Sequence, residues 1–147
     1  MKRKNPKGDG ERGQRITIGE LAKYDIDVAI PLSDNLAFDL ILIFKNKIYK
    51  AQVKSSSKSN SSSTGSIAFD LRNSDGYKGE HHLYSGEEVD VFLCCDYDKV
   101  YILGKDDFLY RSGFTIRQET PKNKQTKNIN LAKDFVLSKE RIEKILS

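Results

Sequence analysis

The clearest pattern in the chain is a pair of apolar runs facing each other across three polar residues. Residues 38–44 are apolar at every position except Asp39, which predicts a strand buried on both faces. Lys45, Asn46 and Lys47 make a tight polar turn. The return run over 48–54 then sets Ile48, Lys50, Gln52 and Lys54 against Tyr49, Ala51 and Val53. That alternation predicts a partner strand with one apolar face, and so a hairpin. The same signature recurs at 89–95 and 99–103, across the polar turn Asp96, Tyr97 and Asp98, predicting a second hairpin. Shorter strands are expected at 26–30, stopped by Pro31 and a Ser33, Asp34, Asn35 turn, and at 67–71, followed by a Gly- and Asp-rich turn over 73–79. Helical spacing predicts a first helix over 11–23, weakened by Gly13 and Gly19. A final amphipathic helix is expected after Ser138, a candidate N-cap, with Glu140 in its first turn and Ile142, Ile145 and Leu146 on one side. No internal repeat is visible. The pattern describes a mixed α/β domain whose sheet is built largely from hairpins, with flanking helices.

Length narrows this further. At 147 residues the chain can bury one ordinary core but not two, so residues 1–147 are read as a single domain. No run approaches the roughly 18 apolar residues a membrane span needs. The basic start lacks an apolar signal segment, so a soluble, cytoplasmic protein with no membrane partner is expected. The two cysteines are the neighbours Cys94 and Cys95, whose side chains point to opposite faces of a strand, which excludes a disulfide framework or a zinc cluster. Eight of the twelve residues in 55–66 are serine, a composition that favours a mobile loop.

The net charge of +4 matters less than its distribution. Bases gather in three blocks, 1–15, 45–58 and 108–147, around an acidic middle. The last block reads as a basic C-terminal extension ending in a short helix. If the blocks converge they can bind a polyanion by releasing its counterions; otherwise they are three solvated surfaces. Lys58, Arg117, Lys122, Lys124 and Lys127 are the candidate DNA contacts, because Lys and Arg find phosphates while neighbouring Asn and Gln can read base edges.

Asp39 is the position that asks for a chemical reason, since an unpaired carboxylate within an apolar run is costly unless a cation or hydrogen-bond donor compensates it. A hairpin turning at 45–47 brings Gln52 and Lys54, which share one face, back beside Asp39. A carboxylate, an amide oxygen and an ammonium on one patch of sheet suit phosphodiester hydrolysis. Asp39, Gln52 and the carbonyl of Val53 offer oxygen ligands to a hard cation such as Mg2+, for which Mn2+ can substitute, and Lys54 can serve the attacking water. The competing reading is the wet face of an ordinary antiparallel sheet. His81 and His82 beside Glu80 read as polar loop residues, and Glu87, Glu88 and Asp90 as structural.

On these residues, F-D-L-I-L-I-F, a short turn and Y-K-A-Q-V-K, the sequence resembles the PD-(D/E)XK nuclease superfamily, in the variant with glutamine at the second acidic position. It is most similar to the small endonucleases that include a cyanobacterial group I intron homing endonuclease. D-V-A-I-P-L-S-D-N-L-A-F-D resembles that family's approach to the aspartate, and E-V-D-V-F with K-V-Y-I-L its later hairpin, so the likeness spans roughly residues 7–104. The resemblance implies a restriction-endonuclease-like core, double-stranded DNA as substrate, and assembly as a homo-dimer or homo-tetramer. It makes Asp39 and Gln52 metal ligands and Lys54 the catalytic lysine. The acid that the family's helix adds falls by spacing on Gln14, with Glu11 one turn earlier as the nearest carboxylate. The alternatives on the same fold are a non-catalytic DNA-binding module and a restriction or Holliday-junction resolving nuclease.

Overall fold

The fold was analysed in a computed structural model that describes residues 6–56, 65–75, 80–119, 123 and 127–147. Its centre is a five-stranded mixed sheet in the order β1 (Asp27–Ala29), β2 (Leu40–Phe44), β3 (Lys47–Ser55), β7 (Val91–Asp96), β8 (Lys99–Leu103). The two predicted hairpins are its halves. β2 and β3 are joined by the two-residue turn Lys45–Asn46, both residues in the left-handed region at φ 49° and 64°. This geometry matches the twist of the flanking strands and fixes their register. β7 and β8 pair antiparallel across Tyr97 and Asp98. The seam between the halves is the parallel pairing of β3 with β7, from Ala51 opposite Val91 to Ser55 opposite Cys95. Parallel strands are covered on both faces, and every residue of β7 is buried.

One face of the sheet carries Leu40, Leu42, Ala51, Val53, Val91, Leu93, Cys95 and Ile102, packed with Leu21 of helix α1 (Pro6–Ala22) and with Ile142 and Leu146 of helix α4 (Lys139–Leu146). α1 begins five residues earlier than expected, with Pro6 at the first helical position, where its missing N–H costs nothing. It lies so close to the sheet that a Cβ on Gly13 would stand 1.9 Å from Ser55 Oγ. α4 starts at Ser138, whose Oγ accepts from Arg141 N at 3.1 Å. The opposite face carries Phe92, Cys94, Tyr101 and Leu103. It is roofed by the antiparallel pair β4 (Ser66–Asp70) and β9 (Gly113–Arg117), and by the short helices α2 (Lys105–Phe108) and α3 (Ala132–Phe135). Phe108, Phe114 and Ile116 complete that core.

A third, separate pair, β5 (Arg72–Asp75) with β6 (Glu80–Leu83), forms its own two-stranded ribbon. It occupies the segment expected to be a turn, and it places His81 and His82 on a strand instead of a loop. β2 also differs from expectation. Leu40, Leu42 and Phe44 are buried while Ile41 and Ile43 are only half-buried, because the roof covers β7 and β8 but does not extend fully over β2. No helix among the described residues is long and apolar enough to cross a membrane.

Candidate active site

The incompletely roofed corner of the sheet is where the chemistry-bearing residues collect. Asp39 immediately precedes β2, and its N–H donates to Ala51 O at 2.9 Å. Leu40 lies opposite Ala51, and Asp39 bonds the backbone of Ala51 and Val53, which sets it beside Gln52. Side chains two apart on a strand share a face, so Gln52 and Lys54 project with Asp39 on the face away from α1. Asp39 Oδ2 accepts from the N–H of Val53 at 3.1 Å. Along β3, the N–H and C=O groups of Ala51 and Val53 are directed to the β2 side, whereas Lys50 O and Ser56 N bond toward β7. The Val53 carbonyl therefore faces the space beyond the end of β2, on the side of Asp39.

The hydrogen bonding leaves oxygen atoms unclaimed. Among the described residues, Asp39 Oδ1 and the Gln52 side-chain amide have no protein hydrogen-bond partner. Lys54 is held from two directions: its Nζ donates to Arg72 O at 2.8 Å and lies 5.4 Å from the centroid of the Tyr84 ring. Burial raises the pKa of Asp39 above the usual carboxylate range, opposed by the Val53 N–H and by Lys54. Burial lowers that of Lys54, opposed by Asp70 and then Asp39. Each group is thus pushed toward its neutral form and neither is fully compensated, the situation in which an added cation or anion is most strongly favoured. A carboxylate, an amide oxygen and a strand carbonyl form the all-oxygen donor set that Mg2+ takes, with room left for water and phosphate, so the residues present fit such an ion.

Asp70 is a neighbour that sequence reasoning passed over. It ends β4 and clamps Arg72, with Nη2 to Oδ2 at 2.8 Å, and Nε and the backbone N to Oδ1 both at 3.0 Å. The side-chain bond to Arg72 holds its pKa down to about 2. Its only sequence signal was a D-x-R spacing at a strand end.

The other candidates fall elsewhere. Glu11 is exposed and Gln14 half-buried on α1, which packs on the opposite face of the sheet. No hydrogen bond or ion pair among the described residues joins either to Asp39, Gln52 or Lys54. Arg117 ends β9 opposite Ser66, at the far end of β4 from Asp70, and its Nε is buried, so it is built into the roof. Lys127 is exposed at a turn, while Lys58, Lys122 and Lys124 lie outside the described residues. Asp90 is structural: Oδ2 accepts from Lys50 N at 2.8 Å, and Oδ1 pairs with Lys105 at 3.3 Å. Ser85 and Glu88 bond each other's backbone N–H groups to close a turn. No cluster of three or more His, Cys, Asp or Glu suited to a metal ion occurs among the described residues; a site of one acid, one amide and one carbonyl is not of that kind.

The sheet, its flanking helices and the aspartate beside a Q-x-K strand are those of a nuclease, and a family model described as PD-(D/E)XK endonuclease matches residues 4–138. The chain belongs to that family and has its restriction-endonuclease-like fold. Among solved structures it is similar to a bacterial homing endonuclease, I-Ssp6803I, with a TM-score of 0.68 and 25 % identity over 82 % of this chain and 84 % of that one. No curated protein matches the sequence.

Proposed function

We propose that this nuclease is a metal-dependent endonuclease of double-stranded DNA, in which Asp39, Gln52 and the Val53 carbonyl hold Mg2+ and Lys54 serves the attacking water. The observation that carries this reading is the pair of unclaimed oxygen-bearing groups, Asp39 Oδ1 and the Gln52 amide, beside a half-buried ammonium. Bound there, the ion supplies Lewis acidity to a phosphate oxygen and lowers the pKa of a coordinated water. The chain's own residues orient the reactants. The Val53 N–H fixes the Asp39 carboxylate, and the Arg72 carbonyl and Tyr84 ring fix the Lys54 amine. From there Lys54 can hold the water by a hydrogen bond and oppose the negative charge that grows on the phosphoryl oxygens. With one carboxylate in the site, the phosphate's own charge contributes to metal affinity, so ion and DNA bind cooperatively.

One such site cuts one strand, and a double-strand break is most simply made by two copies about a twofold axis. The likeness to a homing endonuclease supports site-specific cleavage of the homing type. A second reading, a DNA-binding module without catalysis, is favoured by the position of Glu11 and Gln14, since no α1 acid joins the three residues. The two are separated by incubating the protein with supercoiled plasmid, linear duplex and a four-way junction while Mg2+ is titrated. Metal-dependent cutting that is abolished in Asp39→Ala and Lys54→Ala, both remaining folded by circular dichroism, supports the enzyme. Full cutting by either variant overturns the assigned roles, and DNA binding without cutting at any metal concentration supports the second reading.

A further inference from the structure

The β5–β6 ribbon belongs to neither core layer. It pairs only with itself, and an isolated two-stranded hairpin is marginal in water. Yet both of its roots close on the catalytic corner. Arg72, its first residue, accepts Lys54 Nζ on its carbonyl, and Tyr84, which follows its last residue, lies against the same amine. A substrate held at Lys54 therefore meets the ribbon next. Its described side chains are mostly polar without being a basic patch: His81 and His82 are exposed, Asn73 is half-buried, Leu83 is an exposed apolar residue at its root, and the Arg72 guanidinium is already engaged by Asp70.

A two-stranded ribbon fits the major groove of B-DNA, where base edges can be told apart. Asn73 and His82 are cross-strand partners on one face of the ribbon, with Asn73 Nδ2 3.2 Å from His82 Nε2. An amide has two N–H donors and a carbonyl oxygen. One contact to His82 thus orients Asn73 and still leaves the donor and acceptor that match the N6 and N7 edge of adenine. We infer that the β5–β6 ribbon enters the major groove of the duplex being cut and that Asn73, oriented by His82, reads a base there. This inference rests on the nuclease reading above and deepens it, assigning sequence preference to a segment outside the catalytic residues. A strand advances about 3.4 Å per residue and base pairs follow at about 3.4 Å. Because Asn73 adjoins Arg72, whose carbonyl holds Lys54, the base it reads lies close to the cut.

The test uses the full chain and its Asn73→Ala and His82→Ala variants in two parallel measurements. One is selection of bound duplexes from a random pool in Ca2+, which does not require cutting; the other is sequencing of the ends produced from a fragment library in Mg2+. The expected result is a base preference near the site in the wild type that falls about tenfold in both variants. Cleavage of a plasmid that lacks the preferred site should stay within about threefold, cleavage at the preferred site should fall with the preference, and the salt dependence of binding should not change. Unchanged preference in both variants overturns the inference. So does a uniform loss of affinity with a shallower salt slope, which marks phosphate contacts, or a wild type that selects no sequence, which leaves the ribbon to a protein partner. Selection in Ca2+ without cutting in Mg2+ sustains the ribbon's role and removes the proposed chemistry instead.

Discussion

Arg141 and Lys54 are both cations drawn out of bulk water near a carboxylate, and their surroundings differ in almost every respect. Arg141 is 8 % exposed and is paired directly with its carboxylate. Its Nε and Nη2 donate to Ile102 O at 3.2 and 3.1 Å, Nη2 also meets Asp107 Oδ2 at 2.7 Å, and its guanidinium lies 4.8 Å from the Phe135 ring centroid. Asp107 in turn accepts from Gly104 N at 2.9 Å. The guanidinium and the carboxylate meet directly, and the pair staples α4 to β8 and α2. Lys54 and Asp39 share the same protein but no direct hydrogen bond. The amine is held by a carbonyl and a ring, the carboxylate by one N–H, and burial drives each toward neutrality. A buried charge that is held in place without meeting its counter-charge is poised for a ligand; one that meets it directly belongs to the scaffold.

That contrast is broken or sharpened by substitution on each side. Lys54→Met is expected to reduce cleavage by about 10^3-fold, with stability within about 1 kcal/mol of wild type, measured as plasmid nicking rate beside urea denaturation. Arg141→Met should do the reverse. Leaving Asp107 unpaired should cost about 3 kcal/mol of stability, seen as a lower urea midpoint, while cleavage per folded molecule stays within about twofold. A loss of activity in Arg141→Met larger than its unfolded fraction would dissolve the distinction.

Metal addition gives the next effect. Under the proposed site, Mg2+ at about 100-fold its dissociation constant stabilises the wild type by about 2.7 kcal/mol. Asp39→Asn should lose that gain, as read from thermal melts with and without the ion. The smallest effect concerns Asp70. Its folded pKa of about 2 lies below its ordinary 3.8, so the contribution of the Arg72 pair is complete above pH 3.8 and is lost as pH falls through about 2. Asp70 is more than half exposed, so solvent screening keeps this below about 1 kcal/mol. Urea midpoints compared between wild type and Asp70→Asn should converge toward pH 2.

How much of this was readable beforehand follows from the range of the interactions involved. The β2–β3 hairpin and the gathering of Asp39, Gln52 and Lys54 are local consequences of alternation and a two-residue turn, so the sequence carries them directly. The parallel β3–β7 seam joins residues forty apart and leaves no local mark beyond the apolar run in β7. β9 does alternate, with Phe114 and Ile116 buried, but the surrounding lysines and arginines draw attention to charge and hide the strand. The sequence over 72–83 includes Asn73, Asp75, Gly76 and Gly79, residues that signal turns, and cross-strand pairing of 72–75 with 80–83 overrides that preference. The packing of α1 on the face away from Asp39 depends on Gly13 meeting Ser55, a contact that helical spacing alone cannot assign to one face of the sheet.

The central claim is that the unclaimed oxygens beside Lys54 hold a divalent ion when DNA is bound. It is tested most directly by a crystal structure of the Lys54→Met protein with duplex DNA and Mn2+, read by anomalous scattering. The account predicts a peak at ordinary coordination distance, about 2.0–2.3 Å, from Asp39, Gln52 and the Val53 carbonyl, bridged to a phosphate. A fully occupied DNA complex with no peak there, or with Mn2+ coordinated elsewhere on the chain, would contradict it.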